Sequence, residues 1–329
     1  MTQLKLLCLT GGGFRGYYTI SVLASIEENF KANLSDYVHV YAGTSIGGIV
    51  ALGLACGLKA SDIKKSFIEE KDNIFKKPFL PNVIWQLWGQ VYDSNKLEQA
   101  IINIIGEENA QKKLRDIAPV IVTTVELTTR KPILVTNLCD KTDDWTVLDA
   151  ALATSAAPTY FSGHKVKKSV YVDGGLACNL PDSIAVEACF KHTEITSRDS
   201  IHMLSIGTGK IDEVAVMENQ GIFKRCFRRL KISTLNKSSG GLKWLSYIAS
   251  FSIDAQANMI DEQMKSLLMK SRYCRIDSML KVDIKLDDTS EAAIKELSEQ
   301  SKIAVDNAMY EGALIDFMNL PTSSDDLIS

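Results

Sequence analysis

Val38-His39-Val40-Tyr41-Ala42-Gly43-Thr44-Ser45-Ile46-Gly47-Gly48 is the stretch whose reading decides the fold. An apolar, β-branched run climbs to Gly43, Ser45 stands two positions from a glycine on either side, and an apolar helical pattern follows at once. The order is strand, sharp turn, helix, and Gly43-Thr44-Ser45-Ile46-Gly47 fits G-x-S-x-G. In such a turn the serine is held in strained backbone geometry. Side chains two positions before and after it would meet neighbouring backbone, so glycine is the residue that fits. The hydroxyl is then presented at a helix N-terminus, where partial positive charge favours a developing oxyanion. A tight βα turn without chemistry has the same local signature, so the stretch needs partners elsewhere in the chain.

The chain has 329 residues, long enough for one large α/β domain or two small ones. A formal net charge of −3 gives no ground for binding a nucleic-acid polymer. The seven cysteines are scattered and odd in number with no C-x-x-C pair, and the four histidines show no paired spacing. A metal site is therefore not expected, and the cysteines read as buried thiols of a cytoplasmic protein. The apolar patch Leu4–Leu9 is broken by Lys5 and runs into glycines, too short for a secretory leader. The longest apolar run, Ile46 to Leu58, has thirteen residues, fewer than a membrane-spanning helix needs.

Along the chain, Leu4–Leu9 predicts a buried strand ending in Thr10-Gly11-Gly12-Gly13-Phe14-Arg15-Gly16, with a helix from Tyr17 to about Phe30. After the elbow and its helix, Ser61-Asp62 is expected to cap another helix. Residues 75–92 are aromatic and Pro-broken (Phe79, Trp85, Trp88, Tyr92), a packed loop or a lid. A helix over 94–105, strands over 119–128 and 132–136, a small-residue helix over 147–157 and a strand over 170–172 follow. Then come a helix from Pro181, a buried strand over 201–206 and a long helix from about 241 to 270. Two short strands (273–276, 282–286) and a helix over 291–310 close the pattern. The expectation is one α/β domain over residues 1–329 whose largely parallel central sheet is flanked by helices on both faces. Its motif-bearing core covers about 4–210, with a C-terminal helical elaboration over about 211–320.

Gly11-Gly12-Gly13-Phe14-Arg15-Gly16 also satisfies the dinucleotide fingerprint G-x-G-x-x-G. That reading wants an acid closing the second strand, but the strand closes on Ala42-Gly43-Thr44-Ser45, and Asp36 precedes it. Glycines also let backbone amides turn outward together as an anion nest, which beside Ser45 would make an oxyanion hole. A Ser-Asp-His triad would place a histidine after the acid and in a loop beyond the last strand. His192 lies in a polar loop and His202 opens a buried strand, while His39 feeds the elbow and His164 sits in a turn. Without a histidine base, a carboxylate is needed. Val170-Tyr171-Val172-Asp173-Gly174-Gly175 places one at a strand end, where a partly desolvated Asp173 can accept a serine proton.

Gly11-Gly12-Gly13-Phe14-Arg15-Gly16, Gly43-Thr44-Ser45-Ile46-Gly47 and Asp173-Gly174-Gly175 together resemble the three motifs of the patatin-like phospholipases. The Ala153-Thr154-Ser155-Ala156-Ala157-Pro158 segment is similar to the Ala-Ala-Pro stretch those proteins carry between serine and aspartate, and Ser205-Ile206-Gly207-Thr208-Gly209 to a later strand end. The resemblance implies hydrolysis of lipid esters by a Ser–Asp dyad, with Ser45 as nucleophile and Asp173 as base. It also implies oxyanion donors from Gly11, Gly12, Gly13 and the Ile46 amide, and no cofactor. Arg15 then either holds the loop through backbone carbonyls, the preferred role, or meets a lipid phosphate. Two rival classes stand beside this one: a non-catalytic lipid-binding relative and a cofactor-binding α/β protein.

Between Glu218 and Asp254 there is no acidic residue, whereas Lys224, Arg225, Arg228, Arg229, Lys231, Lys237 and Lys243 are all basic, with Phe223, Phe227, Leu230 and Trp244 interleaved. Such a segment is an ordinary solvated face, a peripheral contact for the inner membrane surface, or a site for an anionic effector. Some bacterial patatin-like phospholipases are nucleotide-activated in anti-phage signalling, and the chain resembles those.

Overall fold

The computed structural model describes residues 3–75, 92–158, 160–211 and 241–320, with 241–250 as backbone alone. Eight strands form one sheet: β1 (Leu4–Leu9), β2 (Val40–Thr44), β3 (Val120–Glu126), β4 (Lys131–Thr136), β5 (His164–Val166), β6 (Ser169–Asp173), β7 (Ile201–Ile206) and, after the short β8 (Lys210–Ile211), β9 (Tyr273–Ile276). The lateral order is β5-β6-β3-β2-β1-β7-β9, with β4 on the other edge of β3. β3, β2, β1, β7 and β9 run parallel, β4 and β6 each pair antiparallel with β3, and β5 pairs antiparallel with β6. A separate parallel pair joins β8 to β10 (Met279–Leu280).

The helices are α1 (Gly16–Phe30), α2 (Ile46–Ala55), α3 (Ala60–Ile74), α4 (Ser94–Ile105), α5 (Glu107–Gln111), α6 (Val147–Ser155), α7 (Asp182–His192), α8 (Gly241–Leu267), α9 (Glu291–Tyr310) and α10 (Ala313–Asn319). Strand side chains alternate between faces, and both faces are covered. Leu7, Leu9, Tyr41, Val122, Leu204 and Ile206 pack with α1, α2, α9 and α10, while Leu4, Leu6, Cys8, Ala42 and Met203 pack with α7 and α8. All six residues of β1 are buried, which is why that strand reads as a continuous apolar run in spite of Lys5. Each leucine enclosed there contributes about 1.5–3 kcal/mol of burial free energy. Lys5 is tolerated because its ammonium donates to the Leu320 carbonyl (2.5 Å) over the rings of Tyr37 and Phe317, and burial pulls its pKa down to about 8.

Tertiary contacts displaced several local expectations. Helix α3 opens at Ala60 and takes no cap from Ser61: Glu27 of α1 reaches over so that Oε2 accepts the Ala60 amide (2.9 Å) and Oε1 the Leu34 amide (3.2 Å). Residues 282–286 form no strand. Their polar alternation places Leu286 in a loop whose carbonyl accepts the Phe14 amide (2.7 Å), and the strand at this point is β10. His164 begins β5, the hairpin partner of β6, rather than sitting in a turn, and Pro181 is the N-cap of α7 rather than within it. Phe79, Trp85 and Trp88 and the basic residues Lys224, Arg225, Arg228 and Arg229 lie outside the described residues. Of the aromatic stretch, Phe75 packs edge-on to Phe14, and Tyr92 stacks on Tyr160 and bonds Asp287. Among the described residues, no helix is long and apolar enough to cross a membrane.

Because one carboxylate accepts both the amide that opens α3 and the Leu34 amide, Glu27→Ala should lower the unfolding free energy by about 2 kcal/mol, the loss of hydrogen bonds to a charged acceptor. Ser61→Ala should leave it within about 0.5 kcal/mol. Urea titration of the two variants checks the pair, and equal effects would return the capping role to Ser61.

Candidate active site

β2 hands directly into α2 through Ser45, whose φ of 54° and ψ of −126° depart from both strand and helix. Positive φ at a non-glycine residue stores about 1–3 kcal/mol of strain, so neighbours must hold it. They do: the Ser45 amide donates to Thr154 Oγ1 on α6 (2.9 Å), and α2 is buried at all ten positions. The flanking glycines are required by close approach. A Cβ on Gly43 would lie 2.3 Å from the Gly47 carbonyl oxygen, and one on Gly47 would lie 2.4 Å from the Leu9 oxygen. The helix rests on bare strand backbone.

The aspartate arrives by sheet topology. β3 pairs with β2 along its first half, Thr44 opposite Thr123, and with β6 along its second half, Asp173 opposite Thr124. β2 runs parallel to β3 and β6 antiparallel, so their C-terminal ends meet head-on over consecutive residues of one strand. There Ser45 Oγ donates to Asp173 Oδ2 at 2.6 Å, while the Gly175 amide donates to Asp173 Oδ1 at 2.7 Å. Threonines satisfy the polar atoms of the junction: Thr44 Oγ1 donates to the Cys178 carbonyl and Thr124 Oγ1 to the Val172 carbonyl, both at 2.8 Å. Asp173 is 6% exposed. Burial raises its carboxyl pKa to about 6, against the lowering effect of the bonds from Ser45 and Gly175.

Residues 11–13 lie beside the elbow, a Cβ on Gly11 falling 3.2 Å from Ser45 Cβ. Asn179 grips this loop twice: its carbonyl accepts the Gly11 amide and its Nδ2 donates to the Gly11 carbonyl, both at 3.1 Å. The Gly11 amide is thereby engaged, which corrects its expected place among the oxyanion donors. Among the described residues, neither the Gly12 nor the Gly13 amide donates a backbone hydrogen bond. Ile46 supplies the first amide of α2, where intrahelical acceptors are missing. Gly16 opens α1 against the Ile46 side chain, and Gly174 and Gly175 form the turn after β6. Arg15 is buried and donates to the Gly209 carbonyl (3.3 Å). Burial pulls its pKa down, while Asp254, Asp277 and Asp283 favour its charge.

The histidines lie apart from this centre. His39 Nδ1 accepts the Lys5 amide, His164 Nε2 bonds Asp149, and His202 Nε2 bonds Gln3. Asp36 sits in the turn before β2, at the N-terminal end of the parallel strands, whereas the glycine loop follows the C-terminal end of β1, so it cannot serve a dinucleotide there. Among the described residues, no group of three or more His, Cys, Asp or Glu is placed to hold a metal ion. Sequence reading missed three supports: Thr154, Asn179, and Gln256 of α8, whose Oε1 accepts the Asn179 amide (3.1 Å). Only Asn179 left a local trace, as a polar residue enclosed in Cys178-Asn179-Leu180-Pro181.

The patatin-like phospholipase family model matches residues 7–186. A protein of Escherichia coli (strain TW11681) named cGAMP-activated phospholipase is 37% identical over 223 residues, covering 63% of this chain and 62% of that protein. A Vibrio cholerae protein of the same name is 30% identical over 352 residues, covering 97% of this chain and 95% of that protein. Among solved structures, VipD from Legionella pneumophila is similar over 94% of this chain and 67% of that chain, with 15% identity and a TM-score of 0.45. The matched elbow, glycine loop and Asp-Gly-Gly turn are those that meet at Ser45, and the chain belongs to the patatin-like phospholipase family.

Proposed function

We propose that this chain is a lipid acyl hydrolase of phospholipase A type, working through Ser45 and Asp173 without histidine. The observation that carries the reading is the 2.6 Å hydrogen bond from Ser45 Oγ to a buried carboxylate. As Ser45 Oγ attacks the ester carbonyl carbon, its proton passes to Asp173 Oδ2, and the Gly12, Gly13 and Ile46 amides meet the tetrahedral oxyanion. Collapse breaks the bond to the alcohol, which leaves with the proton from Asp173. Water then gives a proton to Asp173 and attacks the acyl-serine; the bond from the acyl carbon to Ser45 Oγ breaks, Asp173 returns the proton to Oγ, and the fatty acid leaves. Losing one oxyanion donor costs about 3–4 kcal/mol of transition-state stabilisation.

A carboxylate base works only when ionised, so kcat/KM on a dispersed short-chain ester should fall as pH drops through about 6, the Asp173 value. Ser45→Ala and Asp173→Asn should each remove nearly all activity, with the double variant little worse, because the two act as one unit. Loss of comparable size in His164→Gln or His202→Gln would replace the dyad with a triad.

The same pKa governs stability with the opposite sign. The folded state holds the Asp173 proton more tightly than the unfolded chain, so wild-type stability declines as pH rises from about 4 to about 6. Asp173→Asn escapes that cost, and should be more stable than wild type by up to about 3 kcal/mol above pH 7, the gain shrinking toward pH 4. Denaturant titrations at pH 4 and pH 8 measure it, and a less stable Asn variant at pH 8 contradicts the assignment.

Relatives named for activation by cGAMP support a second element, regulation by a cyclic dinucleotide in anti-phage defence. On this reading basal turnover is low and cGAMP raises it at least tenfold on esters and on anionic vesicles alike. Replacing Arg225, Arg228 and Arg229 by Gln separates the roles of the basic segment. An effector role loses the nucleotide response, a membrane role loses only salt-sensitive vesicle binding, and an unchanged variant marks a plain surface.

A further inference from the structure

The glycine loop is fastened at both ends by groups from beyond residue 186, where the family match stops. Arg275 lies on β9 opposite Ser205 of β7, which lies opposite Cys8 of β1. Thr10 shares a face with Cys8, so the Arg275 guanidinium reaches it by crossing β7. Its Nη1 donates to Ser205 Oγ (2.7 Å) and to Thr10 Oγ1 (3.1 Å), and its Nη2 to Asp277 Oδ2 (2.7 Å). Asp277 Oδ1 in turn accepts the Gly209 amide (2.9 Å), and the Gly209 carbonyl accepts Arg15 Nη1 (3.3 Å). One unbroken chain of bonds thus runs from Thr10, before the glycines, to Arg15, after them. The ion pair at its centre is almost enclosed, with side chains 9% and 6% exposed. Although burial opposes its charge, Asp277 and Asp182 hold the guanidinium above its usual pKa.

We propose that Arg275 and Asp277 are positioning residues for the oxyanion loop, acting on it through Thr10, Gly209 and Arg15 without touching substrate. The inference rests on the Ser45-centred reading above. A buried ion pair adds little net stability over apolar side chains of the same shape, whereas its directional fork fixes geometry. Oxyanion donors need that fixity, since a displacement of about 1 Å costs on the order of 10² in rate. The neighbouring network on the same strand provides a contrast. Tyr273 Oη lies 2.9 Å from Asp182 Oδ2 and 3.1 Å from Asp261 Oδ1; it bonds none of Thr10, Gly209 and Arg15, and meets the clamp only through Asp182, which bonds Ser205.

The test compares Arg275→Lys, Thr10→Val and Tyr273→Phe with wild type, in the full chain with and without cGAMP. It measures kcat, KM, the thermal midpoint and affinity for a trifluoromethyl ketone, whose serine adduct carries the oxyanion charge. Lysine keeps the charge of Arg275 but cannot span Thr10 and Asp277, and Val removes only the Thr10 hydroxyl, so the second variant answers should the first fail to fold. Arg275→Lys should lower kcat by about 10², with ketone affinity falling in proportion and KM within about twofold. Thr10→Val should move the same quantities by at least about tenfold, the loss of one bond from a charged donor. Tyr273→Phe should lower the thermal midpoint while leaving kcat and ketone affinity at wild-type values. Wild-type kcat in a folded Arg275→Lys or Thr10→Val, or kcat tracking thermal midpoint across all three variants, overturns the clamp. Ser45→Ala is run in parallel. Turnover retained there defeats the Ser45 chemistry and the clamp with it, whereas turnover lost there alongside wild-type kcat in Arg275→Lys defeats the clamp alone.

Discussion

One edge of β3 is shared by two strands running in opposite directions, and the site depends on that constraint. β2 occupies the first half of the edge and β6 the second, so both must stop where they meet, over Thr123 and Thr124. A strand that stops inside a sheet leaves backbone groups to be satisfied. The junction is accordingly dense in hydroxyls, with Thr44, Thr123, Thr124 and Thr154 all placed within it. Those bonds hold the strained elbow on one side and the carboxylate on the other. The proximity of Ser45 and Asp173 follows from strand register, a rigid quantity, rather than from the chance meeting of two loops.

The aspartate at that junction is a compromise between fold and chemistry. A carboxylate with few partners in a nearly dry place costs stability, and the two bonds from Ser45 and Gly175 offset only part of the desolvation. The residual cost is what lifts its basicity toward the range where a proton can be taken and returned near neutrality. A fully solvated aspartate would be more comfortable there and a weaker base.

What the sequence disclosed and what it withheld divide along distance in the chain. The elbow, the glycine loop and the Asp-Gly-Gly turn were legible because each is a local backbone problem solved by residue type at fixed offsets. The parallel core was legible in apolar runs such as Leu4–Leu9 and Ile201–Ile206, since strands buried on both faces have little room for polar residues. Ser61 misled because a good cap signal was pre-empted by Glu27, a residue one helix away. Leu286 misled because an alternating pattern fits a strand and also fits a loop whose carbonyls are taken by a neighbouring turn. Gln256 and Arg275 could not be seen at all. Their partners lie across the fold, and nothing in a linear pattern marks an arginine that will cross a strand to reach a threonine.

The position of β1 has a consequence for how the chain is born. The strand is made before its neighbours in the sheet yet sits in the middle of it, and Leu4 waits for Ile201 before its second edge is covered. The bonds that hold Thr10 and Gly209 come later still, from Arg275 and Asp277. Until residues 275–277 have been synthesised, the nascent polypeptide carries its serine and its aspartate without the bonds that tie Thr10 and Gly209. Order of synthesis thereby leaves the two ends of the glycine loop untied until Arg275 and Asp277 have both been made.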